Sequence, residues 1–163
     1  MDKIVFITGA SSGIGAGCAR KFASQGASLI LNARNVNKLS ALKEELEKQY
    51  GAKIYLLPFD VRDRKAATSA LESLPKEWQS IDILVNNAGL VIGTDKEQEG
   101  SLDEWDIVID TNIKALLAMT RLIVPGMVER KRGHIINIGS IAGDAAYPGE
   151  SVYCATKAAV KAL

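Results

Sequence analysis

Short, β-branched apolar runs alternate along the chain with longer segments in which apolar positions recur every three or four residues. A continuous apolar run of a few residues suits a buried strand, and a period near 3.6 suits a helix with one covered face. Strands are predicted at Lys3 to Ile7, Ser28 to Asn32, Lys53 to Pro58, Asp82 to Val85 and His134 to Ile138. Each is nearly continuously apolar, as strands covered on both faces are. Helices are predicted at Gly13 to Gln25, Val36 to Tyr50, Arg64 to Leu74 and Leu102 to Arg130, with another opening near Ser151. The second has the clearest stripe, Leu39, Leu42 and Leu46 with charges between them. Pro125 and Gly126 should kink the fourth or end it early. This alternation is the signature of βαβ units, so the expected fold is α/β, a doubly wound parallel sheet of the Rossmann type. No repeat, low-complexity tract or linker interrupts it, so residues 1–163 read as one domain.

Composition narrows the function. The chain has 47% hydrophobic and 24% charged residues, the balance of an ordinary folded domain. A net charge of +1 provides no global field for nucleic acid or an anionic membrane, so any anion site must be local. No apolar run approaches the roughly 20 residues needed to cross a bilayer. Cys18 and Cys154 are too few for a disulfide framework, and Met1-Asp2-Lys3 runs into Ile4 to Ile7 without signal-peptide features. The expected compartment is the cytoplasm. His134 is the sole histidine and reads as structural, and no metal is expected.

The first strand ends in Thr8-Gly9-Ala10-Ser11-Ser12-Gly13-Ile14-Gly15, which opens directly into a helix. Glycines permit a tight turn, close approach of a diphosphate and close helix–strand packing, while the helix N-terminus offers N–H donors. The alternative is a tight turn without ligand. The second strand is followed by Asn32-Ala33-Arg34-Asn35, an arginine where a carboxylate would bind a free ribose. That suits a 2′-phosphate and favours NADP over NAD, unless Arg34 is simply a solvated charge leading a helix. Asp60 and Val61 follow the third strand, where Asp60 either bonds adenine or caps a helix. Asn87, Ala88 and Gly89 follow the fourth and let a loop lie close to a ribose, or merely end the strand.

Tyr153 and Lys157 are four apart, one turn along the same helix face. An ammonium beside a phenol stabilises the phenolate, bringing it toward a pH useful for proton transfer. Ser140 closes the fifth strand, where its hydroxyl either bonds a substrate oxygen or caps a turn. Cys154 adjoins Tyr153 without a chemical role of its own.

Together and in this order, Thr8 to Gly15, Asp60-Val61, Asn86 to Gly89, Asn112, Ser140 and the Tyr153–Lys157 pair resemble the short-chain dehydrogenase/reductase family. The resemblance covers the whole chain and implies catalytic roles for Asn112, Ser140, Tyr153 and Lys157. Tyr153 would be the general acid/base, and Ser140 would polarise the substrate oxygen. Lys157 would hold the nicotinamide ribose and lower the Tyr153 pKa, and Asn112 would anchor a water linking Lys157 to solvent. Asn112 is a poor mid-helix residue, which fits a helix deformed for function. Gly9, Ser11, Ser12, Gly13, Ile14, Gly15, Arg34, Asn35, Asp60, Val61, Asn87, Ala88 and Gly89 would bind the cofactor. Ser73 to Trp78, Ile81 to Gly93, Pro125 to Gly143 and Tyr147 to Lys157 look like the NADP-dependent 3-hydroxy acid dehydrogenases, which act on serine and L-allo-threonine. Many NADP members carry a basic residue where this chain has Ser12, so Arg34 would recognise the phosphate alone.

The implied activity is hydride transfer between NADP(H) and a small 3-hydroxy or 3-oxo acid. The competing readings are another carbonyl or 3-oxoacyl-thioester reductase, and a non-catalytic NADP(H)-binding module. Leu116, Leu117, Met119, Ile123 and Val160 would pair copies into a homodimer or homotetramer by resemblance, or else are internal core. Only Ala158 to Leu163 follow Lys157, whereas family members continue through two more strands and a substrate loop. The expectation is therefore a chain incomplete at its C-terminus, with the fifth strand presenting a bare edge.

Overall fold

The computed structural model describes residues 2–163. Its strands are β1 (Ile4–Ile7), β2 (Ser28–Leu31), β3 (Ile54–Leu56), β4 (Ile83–Asn86) and β5 (His134–Asn137). All pair in parallel in the order β3-β2-β1-β4-β5. The helices are α1 (Gly13–Ser24), α2 (Val36–Tyr50), α3 (Arg64–Glu72), α4 (Leu102–Ile109), α5 (Ala115–Glu129) and α6 (Ser151–Ala162). The expected doubly wound parallel sheet is therefore observed.

The strands alternate between two cores because successive side chains leave opposite faces of a sheet. Val5, Ile7, Leu29, Leu31 and Val85 meet Ala16, Ala19 and Ala23 of α1 and the Leu39, Leu42 and Leu46 stripe of α2 on one face. Phe6, Ile30 and Leu84 meet Ala67 of α3 and Met119, Ile123 and Met127 of α5 on the other. Alanines at spacings of three and four let α1 lie close to the sheet. Fully burying a leucine such as Leu39 or Leu46 contributes about 1.5–3 kcal/mol.

Three expectations are corrected. The Leu102–Arg130 segment is divided: a π-helical turn, Asp110–Lys114, separates α4 from α5, with the Ala115 N–H donating to the Asp110 carbonyl five residues back. Pro125 does not end α5, which continues to Glu129; Met119, Ile123 and Met127, four apart, anchor it to the sheet on both sides of the proline. β5 is not covered like the inner strands. Its bare edge is as expected, since it pairs with β4 alone among the described residues, but its faces are not covered, and His134 and Ile135 are exposed.

Of the residues considered for subunit pairing, Leu116, Met119, Ile123 and Val160 are buried within the chain, and Leu117 is exposed. No helix among the described residues is long and apolar enough to cross a membrane. No group of three or more His, Cys, Asp or Glu side chains among them could hold a metal ion.

Candidate active site

The sheet order reverses beside β1: the chain steps outward through β2 and β3, then returns to lay β4 against the other side of β1. Loops leaving the carboxyl ends of β1 and β4 diverge at such a point and open a crevice. A cleft of about 970 Å³ lies there. It is lined by Gly9, Ser11, Ser12, Gly13, Ile14, Arg34, Asn35, Asp60, Val61, Asn87, Ala88, Gly89, Tyr153 and Lys157.

Its floor is the glycine-rich turn. Gly9 and Gly13 have φ of +62° and +53°, a region that side chains with a Cβ avoid. A Cβ at Gly9 would sit 2.9 Å from the Ala88 Cα, and one at Gly15 would sit 2.3 Å from the Gly9 carbonyl oxygen. Gly15 thus lies beneath the turn rather than on the cleft wall. Thr8 and Asn87 lock this turn to the loop after β4. Thr8 Oγ1 accepts from the Asn87 and Ala88 N–H groups at 3.1 and 2.9 Å, and Asn87 Nδ2 donates to the Thr8 and Gly9 carbonyls, both at 3.0 Å. Ser12 precedes α1 but its side chain caps none of the first-turn N–H groups, so they remain available to an anion.

At the outer end, Arg34 is exposed and Asn35 caps α2, its Oδ1 accepting from the Lys38 N–H at 3.0 Å. Asp60 does not cap α3; Asp63 does, accepting from Lys65 and Ala66 N–H groups. Asp60 is instead gripped by Arg62, whose Nη2 and Nε donate to Oδ2 at 2.7 and 3.1 Å. That guanidinium holds the Asp60 carboxyl below the usual carboxylate range, with burial opposing and Arg34 adding a smaller pull.

At the inner end, α6 brings Tyr153 and Lys157 to the cleft. The Lys157 ammonium donates to the Ile138 carbonyl at 3.0 Å and stands 5.9 Å from the centre of the Tyr153 ring. Burial pushes the Lys157 ammonium below its ordinary pKa. Asn112, in the π-helical turn, is buried behind this pair. Its Nδ2 donates to the Leu90 carbonyl at 2.9 Å and Thr156 Oγ1 at 3.1 Å, while its Oδ1 accepts from the Leu90 N–H at 2.9 Å. Ser140 does not close β5, which ends at Asn137; it caps a short 3₁₀ turn, its Oγ accepting from the Ala142 N–H at 3.1 Å.

Most expected site residues therefore meet in one cleft, while Gly15, Asn112 and Ser140 lie outside its lining. Lys38, Arg62, Phe59 and Thr111 also line it and escaped the sequence reading. Arg62 was findable as the nearest cation to Asp60, and Lys38 as the residue one turn beyond a capping asparagine. Phe59 and Thr111 had no distinguishing signal.

A parallel sheet wound on both faces, with a glycine-rich turn at its reversal point, defines a Rossmann-type protein. The chain belongs to the short chain dehydrogenase family, whose pattern matches residues 3–163. It is 49% identical over 158 residues to the NADP-dependent 3-hydroxy acid dehydrogenase of Escherichia coli K12, an alignment that covers 97% of this chain and 62% of that protein. The chain thus spans about three fifths of that relative's length. The crystal structure of serine dehydrogenase from Escherichia coli superposes with a TM-score of 0.92 at 49% identity, covering 98% of this chain and 72% of the other. The closed form of serine dehydrogenase complexed with NADP+ superposes with a TM-score of 0.90 at 48% identity, covering 98% and 62%.

The cleft fits a phosphorylated dinucleotide on its own geometry. Side-chain-free turns at Gly9 and Gly13 and uncapped N–H groups of α1 suit a diphosphate, and the cationic outer rim suits a further phosphate.

Proposed function

We propose that this chain carries the cofactor site and proton-transfer residues of an oxidoreductase acting between NADP(H) and a 3-hydroxy acid of the serine or L-allo-threonine type. The observation that carries the reading is the shared cleft, in which Tyr153 and a buried Lys157 face the same space as the glycine-rich turn and Arg34. The names of the similar dehydrogenases support the cofactor and the substrate class.

When bound, NADP(H) supplies the hydride. The protein's share is orientation and proton movement. Tyr153 acts as general acid/base, exchanging a proton between its phenolic oxygen and the substrate oxygen. Lys157 is fixed by the Ile138 carbonyl, which holds its ammonium 5.9 Å from the centre of the Tyr153 ring and within the same cleft. Ser140 Oγ accepts from the Ala142 N–H, which leaves its own O–H to donate to a substrate oxygen. Asn112, its carboxamide held in place by Leu90 and Thr156, would anchor a water linking Lys157 to solvent. Gly89 keeps this corner open, since a Cβ there would stand 3.3 Å from Asn112 Oδ1 and 3.5 Å from Lys157 Nζ. Of the residues lining the cleft, Arg34 would hold the 2′-phosphate, Asp60 and Val61 the adenine, and Asn87 to Gly89 a ribose.

The test is Tyr153→Phe, assayed by the absorbance of reduced nicotinamide with NADP and a panel of 3-hydroxy acids. Turnover should fall by about 10²-fold or more, the loss typical of removing a general acid/base. Near-normal turnover in the variant would remove Tyr153 from the mechanism. A wild-type protein that binds NADP and oxidises none of the panel would favour a binding module.

A further inference from the structure

A phosphate monoester carries about −1.5 to −2 charges at neutral pH. One guanidinium at the outer rim leaves roughly half of that unmatched, and Ser12 contributes no charge. Two more cations line the same end of the cleft, Lys38 and Arg62. Arg62 is already committed, its guanidinium forked onto Asp60. Lys38 is not. It sits in the first turn of α2, where Asn35 Oδ1 pins its N–H at 3.0 Å, and that turn holds no acidic residue.

Of the three carboxylates further along α2, Glu45 pairs with Arg20 of α1 and Glu47 with Lys43, and Glu44 does not line the cleft. Asp60, the carboxylate lining this part of the cleft, is held by Arg62. Among the described residues, neither Arg34 nor Lys38 forms an ion pair; Asp60 feels Arg34 only as its weakest influence and is held by Arg62, so this rim of an otherwise near-neutral chain carries a net positive charge. A dianion in this part of the cleft would be drawn to both cations.

We propose that Lys38 and Arg34 together form a two-cation seat for the nucleotide 2′-phosphate, with Lys38 supplying from α2 the second charge that the glycine-rich turn lacks at Ser12. The inference rests on the NADP reading above. Arg34 offers a planar fork that can engage two phosphate oxygens, and Lys38 a mobile point charge that neutralises the remainder.

The test measures binding rather than turnover: calorimetric titration of 2′,5′-ADP and 5′-AMP into the purified protein at several salt concentrations. Wild type should bind 2′,5′-ADP more tightly than 5′-AMP. Lys38→Gln should weaken 2′,5′-ADP by about tenfold at low salt, the scale of one charge-assisted hydrogen bond, with 5′-AMP nearly unchanged. It should also flatten the dependence of log Kd on log salt concentration. Lys43→Gln, on the same helix but paired with Glu47, is the control and should leave both ligands unaffected. A Lys38→Gln protein that keeps the wild-type preference overturns the Lys38 assignment while leaving the NADP reading intact. A wild-type protein that binds the two nucleotides equally overturns both.

Discussion

The glycines of the first turn carry the same letter and do different work. Gly9 and Gly13 are needed for their positive φ, and Gly15 because a Cβ would meet a backbone oxygen that cannot move aside. Gly17, one turn into α1, faces open space, with no neighbouring atom beyond its own helix within 4 Å of where a Cβ would stand. The two helical positions therefore predict opposite outcomes for the same substitution. Gly15→Ala should destabilise by about 1–3 kcal/mol through overpacking and should also weaken 2′,5′-ADP binding. Gly17→Ala should stabilise by about 0.5–1 kcal/mol, since alanine is the better helix residue. Urea unfolding of the two variants checks both signs. The motif was legible as a motif because its spacing is set by a turn every such site needs. The division of labour was not, because it depends on Asn87 and Ala88, which come from 78 and 80 residues away in sequence. Asp60 shows the same limit: from spacing it was either an adenine contact or a helix cap, and only the fold reveals Arg62 gripping it and Asp63 taking the cap.

One element, punctuated at both ends, matches its expected bounds to the residue. The bounds of α2 coincide with the expected Val36 to Tyr50, because Asn35 caps one end and Gly51, at φ +62°, closes the other. The Leu102–Arg130 segment was expected to be one helix because a π turn keeps the backbone helical on both sides and leaves no break in composition. The one local clue was Asn112, whose poor helix propensity suggested deformation. Its structural weight can be measured. Asn112 is 2% exposed and its carboxamide makes three hydrogen bonds, two to Leu90 and one to Thr156. Asn112→Leu would strand those partners in the interior, each buried polar group costing about 1–3 kcal/mol when left unsatisfied. Urea unfolding should register a loss of at least about 2 kcal/mol, with 2′,5′-ADP affinity in the folded fraction little changed. A variant as stable as wild type would mean that Leu90 and Thr156 find other partners.

For the molecule as a whole, the parallel sheet and the two-sided core followed from the alternation of strand and helix, whereas the order β3-β2-β1-β4-β5, and with it the position of the cleft, is set by pairings between distant strands that the alternation leaves open. The exposure of β5 did not follow from its apolar sequence, since burial belongs to neighbours rather than to composition. Stability against pH is likewise a property of the whole chain, because every group whose proton affinity changes on folding adds to one curve. On the acid side, Asp60 and Glu45 are held below their ordinary values by Arg62 and Arg20. Their contribution is present above the unfolded pKa and lost as pH falls through the folded one, so stability should decline below about pH 4. On the alkaline side two groups oppose each other. The Lys157 pKa is depressed by burial, so the folded state sheds that proton first, and stability gains as pH rises from the depressed value toward 10.5. The Tyr147 pKa is pushed up to about 12 by its hydrogen bond to Glu150. Its contribution is present below the unfolded value near 10 and lost as pH rises through about 12. Lys157→Met keeps the aliphatic length and removes the titration. Urea midpoints between pH 7 and 10.5 should rise less with pH in this variant than in wild type, and the variant should match or exceed wild-type stability at pH 7. Parallel curves would show that the ammonium at Ile138 is as well solvated folded as unfolded.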